Sequence, residues 1–159
     1  MAYYDTISPG YNELYEEEQI KKLKLIKTKI KIKANSKLLD VGCGSGISSD
    51  FECFAVGIDP SMELLKINKS GKKILGIAEA LPFKDSSFDY VISITSLHNF
   101  FDIKKSIREM LRVGKNYFVL SILKKSKDFN KIRKLINGDL RVYDVMEEEK
   151  DLVFFCSRP

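Results

Sequence analysis

The apolar run Lys37-Leu38-Leu39-Asp40-Val41 breaks without a spacer into Gly42-Cys43-Gly44-Ser45-Gly46. Of everything in the chain, this break restricts the fold most. A short apolar run that ends in closely spaced glycines reads as a buried strand entering a tight turn. Such a turn lets the backbone approach a ligand closely, and a helix starting behind it would offer free N–H groups to an anion. The spacing is G-x-G-x-G. It matches neither the G-x-G-x-x-G of a dinucleotide site nor the G-K-[ST] ending of a phosphate loop.

The pattern around the turn alternates strands with helices. Residues 12–33 carry Leu14, Ile20, Leu23, Ile26 and Ile30 at helical spacing under a basic outer face. Strands are expected at 37–41, 54–58, 73–77, 90–94 and 117–123, with helices at 62–68, 103–113 and 127–136. Residues 90–94, Tyr-Val-Ile-Ser-Ile, are apolar on both faces, as in a parallel strand covered by helices. The last two runs, 140–145 and 152–156, leave no room for a helix between them and read as an antiparallel hairpin at the sheet edge. The expected fold is therefore α/β: a three-layer, doubly wound sheet, mostly parallel, with an antiparallel terminal hairpin. A chain of 159 residues suits a single domain, with a cap helix over 1–33, a core over 37–123 and a terminal helix and hairpin over 127–159.

Composition removes several kinds of chemistry. Three cysteines, Cys43, Cys53 and Cys156, without a C-x-x-C pair, disfavour disulfides and zinc, and a single histidine, His98, rules out a His-rich metal centre. No metal site is expected. The start Met1-Ala2-Tyr3-Tyr4-Asp5 has no signal-peptide profile and no apolar stretch has membrane-spanning length, so a cytoplasmic protein is expected. Net charge is +5, concentrated in Lys21–Lys33 and Lys124–Lys134. Each cluster reads either as a solvated helix face or as a surface for a polyanion.

Asp59 ends the second strand, where an acid can accept hydrogen bonds from both hydroxyls of a ribose. It could also cap the helix announced by Asp59-Pro60-Ser61. With the glycine turn upstream, ribose binding is the favoured reading and the expected ligand is a nucleoside.

Three segments in order, Leu38-Leu39-Asp40-Val41-Gly42-Cys43-Gly44-Ser45-Gly46, Gly57-Ile58-Asp59-Pro60-Ser61, and Ala78-Glu79-Ala80-Leu81-Pro82-Phe83 through Ser87-Phe88-Asp89-Tyr90-Val91, resemble class I S-adenosylmethionine-dependent methyltransferases. The resemblance is strongest to the branch with ubiquinone and menaquinone methyltransferases and certain tRNA wobble-base carboxymethyl methyltransferases. It implies a Rossmann-like methyltransferase fold and S-adenosyl-L-methionine as cofactor. Asp40, Gly42, Cys43, Gly44 and Gly46 would border the methionine end, and Asp59 and Pro60 the ribose. Met62, Ala78 and Glu79 would border the adenine, although Met62 also suits plain core packing and Ile77 stands where an aspartate often precedes the Ala-Glu pair. Ser93 and His98 follow the fourth strand, where methyl group and acceptor meet. His98 would be a general base or part of the pocket wall. Tyr3, Tyr4, Asp5 and Tyr11 resemble a segment that covers the cofactor, or pack structurally. The absence of Asn-Pro-Pro-Tyr after the fourth strand argues against methylation of exocyclic amino groups of adenine or glutamine.

For the acceptor, RNA held by the basic helices is slightly favoured, although no RNA-recognition motif and no aromatic stacking platform interleaved with the lysines is visible. The alternatives are a small molecule in a pocket walled by Leu97, Phe100 and Phe101, or a cofactor-binding subunit that needs an activating protein or a second copy. Apolar side chains exposed on an edge strand such as 117–123 or 152–156 would serve the last reading.

Overall fold

Neighbouring residues of the central strands divide between two cores. Leu39, Val91, Phe118 and Phe154 enter one apolar cluster, while Leu38, Ile92, Val119 and Phe155 enter the other. Side chains alternate across a strand, so a strand apolar at successive positions needs cover on both faces. That requirement produces the three layers. The computed structural model describes the backbone of residues 9–159 and side-chain surroundings from residue 13 onward.

In chain order the elements are α1 (Pro9–Lys29), β1 (Lys37–Val41), a 3₁₀ turn (Ile47–Ser49), β2 (Phe54–Asp59), α2 (Met62–Ile67), β3 (Lys73–Leu75), β4 (Phe88–Ser93), a second 3₁₀ turn (Leu97–Asn99), α3 (Ile103–Val113), β5 (Gly114–Leu123), α4 (Phe129–Asp139), β6 (Arg141–Glu147) and β7 (Asp151–Ser157). They form a seven-stranded sheet in the order β3-β2-β1-β4-β5-β7-β6. The ladders from β3 to β5 are parallel, and those of β7 with β5 and β6 are antiparallel. This is the expected α/β architecture. Ile107 and Met110 of α3 and Ile132 and Ile136 of α4 fill one core. Ile26 of α1 lies in the other.

Two expectations are corrected. The hairpin does lie at the sheet edge, but β7 inserts between β5 and β6, so neither 117–123 nor 152–156 is an edge strand. The free edges are β3 and β6. In α1 the buried positions are Gln19, Lys22, Leu23 and Ile26, while Leu14 and Ile20 are exposed. The helix turns a partly polar stripe inward because its N-terminal half lies over polar groups at the strand ends, and only its C-terminal half lies over apolar core. No described helix is long and apolar enough to cross a membrane. All three cysteines are free thiols.

Chain order reverses between β1 and β4, since β2 and β3 build outward on one side and β5 on the other. In open α/β sheets that switch point opens a crevice beyond the carboxyl ends of the strands.

Candidate functional site

A cleft of about 510 Å³ occupies the switch point. Its walls come from the glycine turn after β1, Asp59 at the end of β2, Leu64 and Ile67 of α2, the segment Ile94–Ser96 after β4, and Tyr15, Glu16 and Gln19 of α1.

The glycine turn is built on left-handed backbone, with φ of +79° at Gly42, +51° at Gly44 and +92° at Gly46. At Gly42 a Cβ would lie 2.6 Å from Ser96 Cβ and Oγ, and at Gly46 it would run into the Asn68 amide. Only glycine satisfies both the dihedral and the space there. The N–H groups of Gly42 and Cys43 both donate to the Ile58 carbonyl. The helix expected behind the turn is reduced to the single 3₁₀ turn Ile47–Ser49, because only a few residues separate Gly46 from β2.

Asp40 is fully buried beneath the turn. Its Oδ2 accepts hydrogen bonds from the hydroxyls of Ser48 at 2.5 Å and Ser49 at 2.7 Å, while Oδ1 has no partner. Burial pushes its carboxyl up to about 6 against the pull of the two serine hydroxyls, and neighbouring Asp59 adds to the rise. Asp59 lines the cleft, with Oδ2 accepting from the Gly44 N–H at 2.9 Å and Oδ1 from the Ser61 N–H at 2.8 Å. Burial raises its carboxyl, and those two backbone donors oppose the rise. The cap of α2 is Ser61, whose hydroxyl accepts from Leu64 N–H. Asp59 therefore has no capping duty, and each of its oxygens retains a second lone pair.

The other residues named from the sequence separate into two groups. Gly42, Cys43, Gly44, Gly46 and Asp59 meet at the cleft, whereas Pro60, Met62, Ala78, Glu79, Ser93 and His98 do not line it. Ser93 is buried and donates to the Val41 carbonyl, stitching β4 to β1. Ala78 belongs to the apolar core, and Glu79 accepts from the N–H of Asp102, the residue that caps α3. Met62 is exposed. The side chain of Tyr11, and Tyr3, Tyr4 and Asp5, lie outside the described residues. His98 stands in the 3₁₀ turn after β4 with Nδ1 buried and unpartnered. Burial lowers its pKa, and the opposing charge of Asp151 only partly offsets this. The neutral imidazole is its state at neutral pH. Of the expected wall of Leu97, Phe100 and Phe101, Leu97 is in the core and Phe101 is 100% exposed, while the ring of Phe100 lies against the core and beside Gly42.

One part of the site has no signature in the sequence. Lys22 of α1 is 2% exposed. Its ammonium donates to Thr95 Oγ1 at 2.7 Å and lies 3.2 Å from Asp151 Oδ2 and 3.6 Å from Glu148 Oε1. Thr95 Oγ1 donates in turn to Asp151 Oδ2, as does Ser121 Oγ, and the Thr95 N–H donates to Ser121 Oγ. Thr95 is β-branched with φ +54°, a costly conformation that persists only where its surroundings enforce it. The network joins the helix above the cleft to the loop beneath it and to the terminal hairpin. Gln19 and Tyr15, one and two turns before Lys22 on the same helix face, border the cleft.

Residues 39–120 match the family described as Methyltransferase domain. An uncharacterised protein of Methanocaldococcus jannaschii is 37% identical over 117 residues, covering 72% of this chain and 47% of the relative. The demethylmenaquinone methyltransferase of Renibacterium salmoninarum is 34% identical over 126 residues, covering 72% of this chain and 53% of that protein. The chain spans about half the length of these curated relatives. Among solved structures, a complex between the Haloferax volcanii Trm112 methyltransferase activator and a methyltransferase superposes with a TM-score of 0.81 at 15% identity, covering 95% of each chain. An S-adenosylmethionine-dependent methyltransferase of Aquifex aeolicus gives 0.76 at 15% identity, covering 97% of this chain and 100% of that one. At such identities the superpositions speak for the fold alone. The matched residues 39–120 run from β1 into β5 and contain the glycine turn, Asp59 and the β4 end, so the chain belongs to the S-adenosylmethionine-dependent methyltransferase domain family.

Proposed function

We propose that the chain binds S-adenosylmethionine in the switch-point cleft and transfers its methyl group to RNA. The observation that carries the cofactor part is the chemistry of the cleft: a left-handed glycine turn crossed by Asp59, above the buried Asp40 with one partnerless oxygen. A cationic nucleoside suits this set. Asp59 has lone pairs for the ribose hydroxyls, Asp40 and Glu16 supply negative potential, and the glycines admit the ligand against the backbone. Pro60, Met62, Ala78 and Glu79 would at most border the adenine from outside the cleft lining, with Ser93 acting beneath it as a strand tie.

The bound cofactor supplies a methyl group on a good leaving group, so the protein need only align acceptor and methyl and exclude water. Tyr15 and Gln19 cover the cleft from α1, and Ser96 and Asn99 border its acceptor side. His98 is assigned to the support behind that wall. An acceptor that must lose a proton would draw on it through water or movement.

For the acceptor, the exposed lysines of α1, Lys21 and Lys24 among them, and the fully exposed Phe101 beside Asn99 favour a polyanion with aromatic bases. A second reading, a small quinone-like acceptor, is favoured by the likeness to a demethylmenaquinone methyltransferase. A protein partner is the third. Exposed Ile67, Leu75 and Ile77 near the β3 edge give it a surface, and a structural neighbour was solved with an activator. Methyl-tritiated S-adenosylmethionine and an extract lacking this gene decide between them. Label in the RNA fraction, abolished by Asp59→Ala, is the expected result; label in small molecules or protein instead refutes the RNA acceptor. No label while cofactor still binds points to the missing partner.

A further inference from the structure

On the α1 side of the sheet, three tyrosines from three different strands gather beyond the end of the helix. Tyr90 of β4 and Tyr117 of β5 are register partners, and their rings stack with centroids 5.3 Å apart and planes inclined by 21°. Tyr117 lies two residues before Val119, which enters the α1-side core, so both point to that face. Across β7, Tyr117 pairs with Ser157 and Ser157 with Arg141. A bulge between Val142 and Asp144 of β6 changes the alternation there. Val142 packs in the opposite core, and Asp144 reaches Lys29 of α1. Tyr143 is the bulged residue between them, and Tyr117, Tyr90 and Asp144 are among the groups near its hydroxyl, which sets it on the α1 side. Burial raises its hydroxyl pKa, and the hydroxyls of Tyr117 and Tyr90 are among the neighbours that add to the rise.

The helix ends at Lys29, one turn too early to cover this row. Tyr117 is 42% and Tyr143 54% exposed. In the segment that follows α1, Ile30 and Ile32 pack against the same core as Tyr90, while the intervening Lys31 and the following Lys33 are exposed. Lys31, Lys33 and Arg141 have no ion-pair partner among the described residues. The nearby carboxylates Asp89 and Asp144 are already taken by Lys115 and Lys29.

We propose that this tyrosine row is a stacking platform for single-stranded RNA, with Lys31, Lys33 and Arg141 meeting its phosphates. An open sheet face of aromatic rings takes unpaired bases through their π faces, and cations at its rim follow the backbone. The surplus of unpaired cations and the shortage of aliphatic side chains on the row fit a nucleic acid better than a protein surface. Five steps at no more than about 3.3 Å each, three along β4 and two beyond its end, set Tyr90 at most about 17 Å from Thr95 at the cleft, a span of a few nucleotides. The proposal deepens the RNA reading of the acceptor and rests on it for its purpose.

The test is anisotropy of a fluorescein-labelled single-stranded oligouridine dodecamer titrated with the full chain. Tyr117→Ala and Tyr143→Ala should each weaken binding about tenfold, and Tyr117→Phe should keep it. Lys31→Glu with Lys33→Glu should weaken binding and flatten its dependence on salt by a slope of about 0.7 per lost phosphate contact. The chain has no tryptophan and seven tyrosines, so the part of the RNA-induced quenching of tyrosine emission that disappears in Tyr117→Ala and Tyr143→Ala reports the stack. Unchanged affinity in both alanine variants overturns the proposal. So does equal binding of a blunt duplex, or a change in self-association with no change in RNA affinity, which would make the face a contact between copies. Titration with S-adenosylmethionine separates the two readings: tyrosine variants that lose RNA affinity but keep cofactor binding support the platform, whereas a wild-type chain that binds cofactor and not RNA sinks it and leaves the methyltransferase assignment standing.

Discussion

Replacing Lys22 by methionine removes its charge and shortens the unbranched side chain by only one atom. Asp151 is then left fully buried, with two hydroxyl donors on Oδ2, from Thr95 and Ser121, and nothing on Oδ1. Removing one partner of a buried ion pair costs about 3–5 kcal/mol because the other charge stays uncompensated. Against a total stability of about 5–15 kcal/mol this is a large fraction. The charge is the cause, so Lys22→Met with Asp151→Asn should be more stable than Lys22→Met alone by about 2 kcal/mol, since an asparagine oxygen can still accept from Thr95 and Ser121. Urea unfolding at neutral pH measures wild type, both single variants and the double variant, with equal slopes required for comparison. Thr95 borders the cleft at an unfavourable dihedral, so the single variant should also bind cofactor more weakly. A loss below about 1 kcal/mol for Lys22→Met, or strict additivity with Asp151→Asn, would refute the argument that this pair fastens α1 over the cleft.

Three further outcomes are expected. Asp59→Ala should weaken S-adenosylmethionine binding about 10- to 100-fold through lost hydrogen bonds to a charged group; a calorimetric titration with unchanged affinity contradicts the ribose assignment. Asp40 has its carboxyl raised from 3.8 to about 6, so its ionisation penalises the folded state; the penalty is absent well below 3.8, where both states are protonated, builds as pH rises from there to about 6, and is constant above that. Wild type should lose about 3 kcal/mol relative to Asp40→Asn between pH 4 and 7, and its affinity for the cationic cofactor should rise over that window; parallel stability curves would exclude this. His98→Gln should lower methyl transfer less than about tenfold, whereas a loss of 100-fold or more would make the imidazole a general base.

Short-range pattern explains what was legible in the chain. Leu38 and Leu39, or Val91 and Ile92, are apolar in succession and so demand cover on two faces; that reads directly as a parallel, doubly wound sheet. The glycine turn reads equally well, because positive φ and close approach both select glycine locally. The edge of the sheet did not read, since strand order depends on how the terminal hairpin docks rather than on its residues. The Lys22 network was hidden for a related reason: its members, at positions 22, 95, 121 and 151, come from α1, the β4 end, β5 and β7.

By itself the sequence determined the α/β class, the glycine turn and the acid at the end of β2, each set by residues within a few positions of one another. Which of the named residues reach the cleft depends on tertiary packing: Ser93 bonds to β1, Glu79 meets the cap of α3 and His98 stands in the 3₁₀ turn after β4, none of them lining it. Tertiary packing also decided that Tyr90 and Tyr117, far apart along the chain, stack on neighbouring strands, with β6 and Tyr143 beyond the intervening β7. Strand register joins residues that sequence distance separates, and no local propensity encodes which strand will be the neighbour.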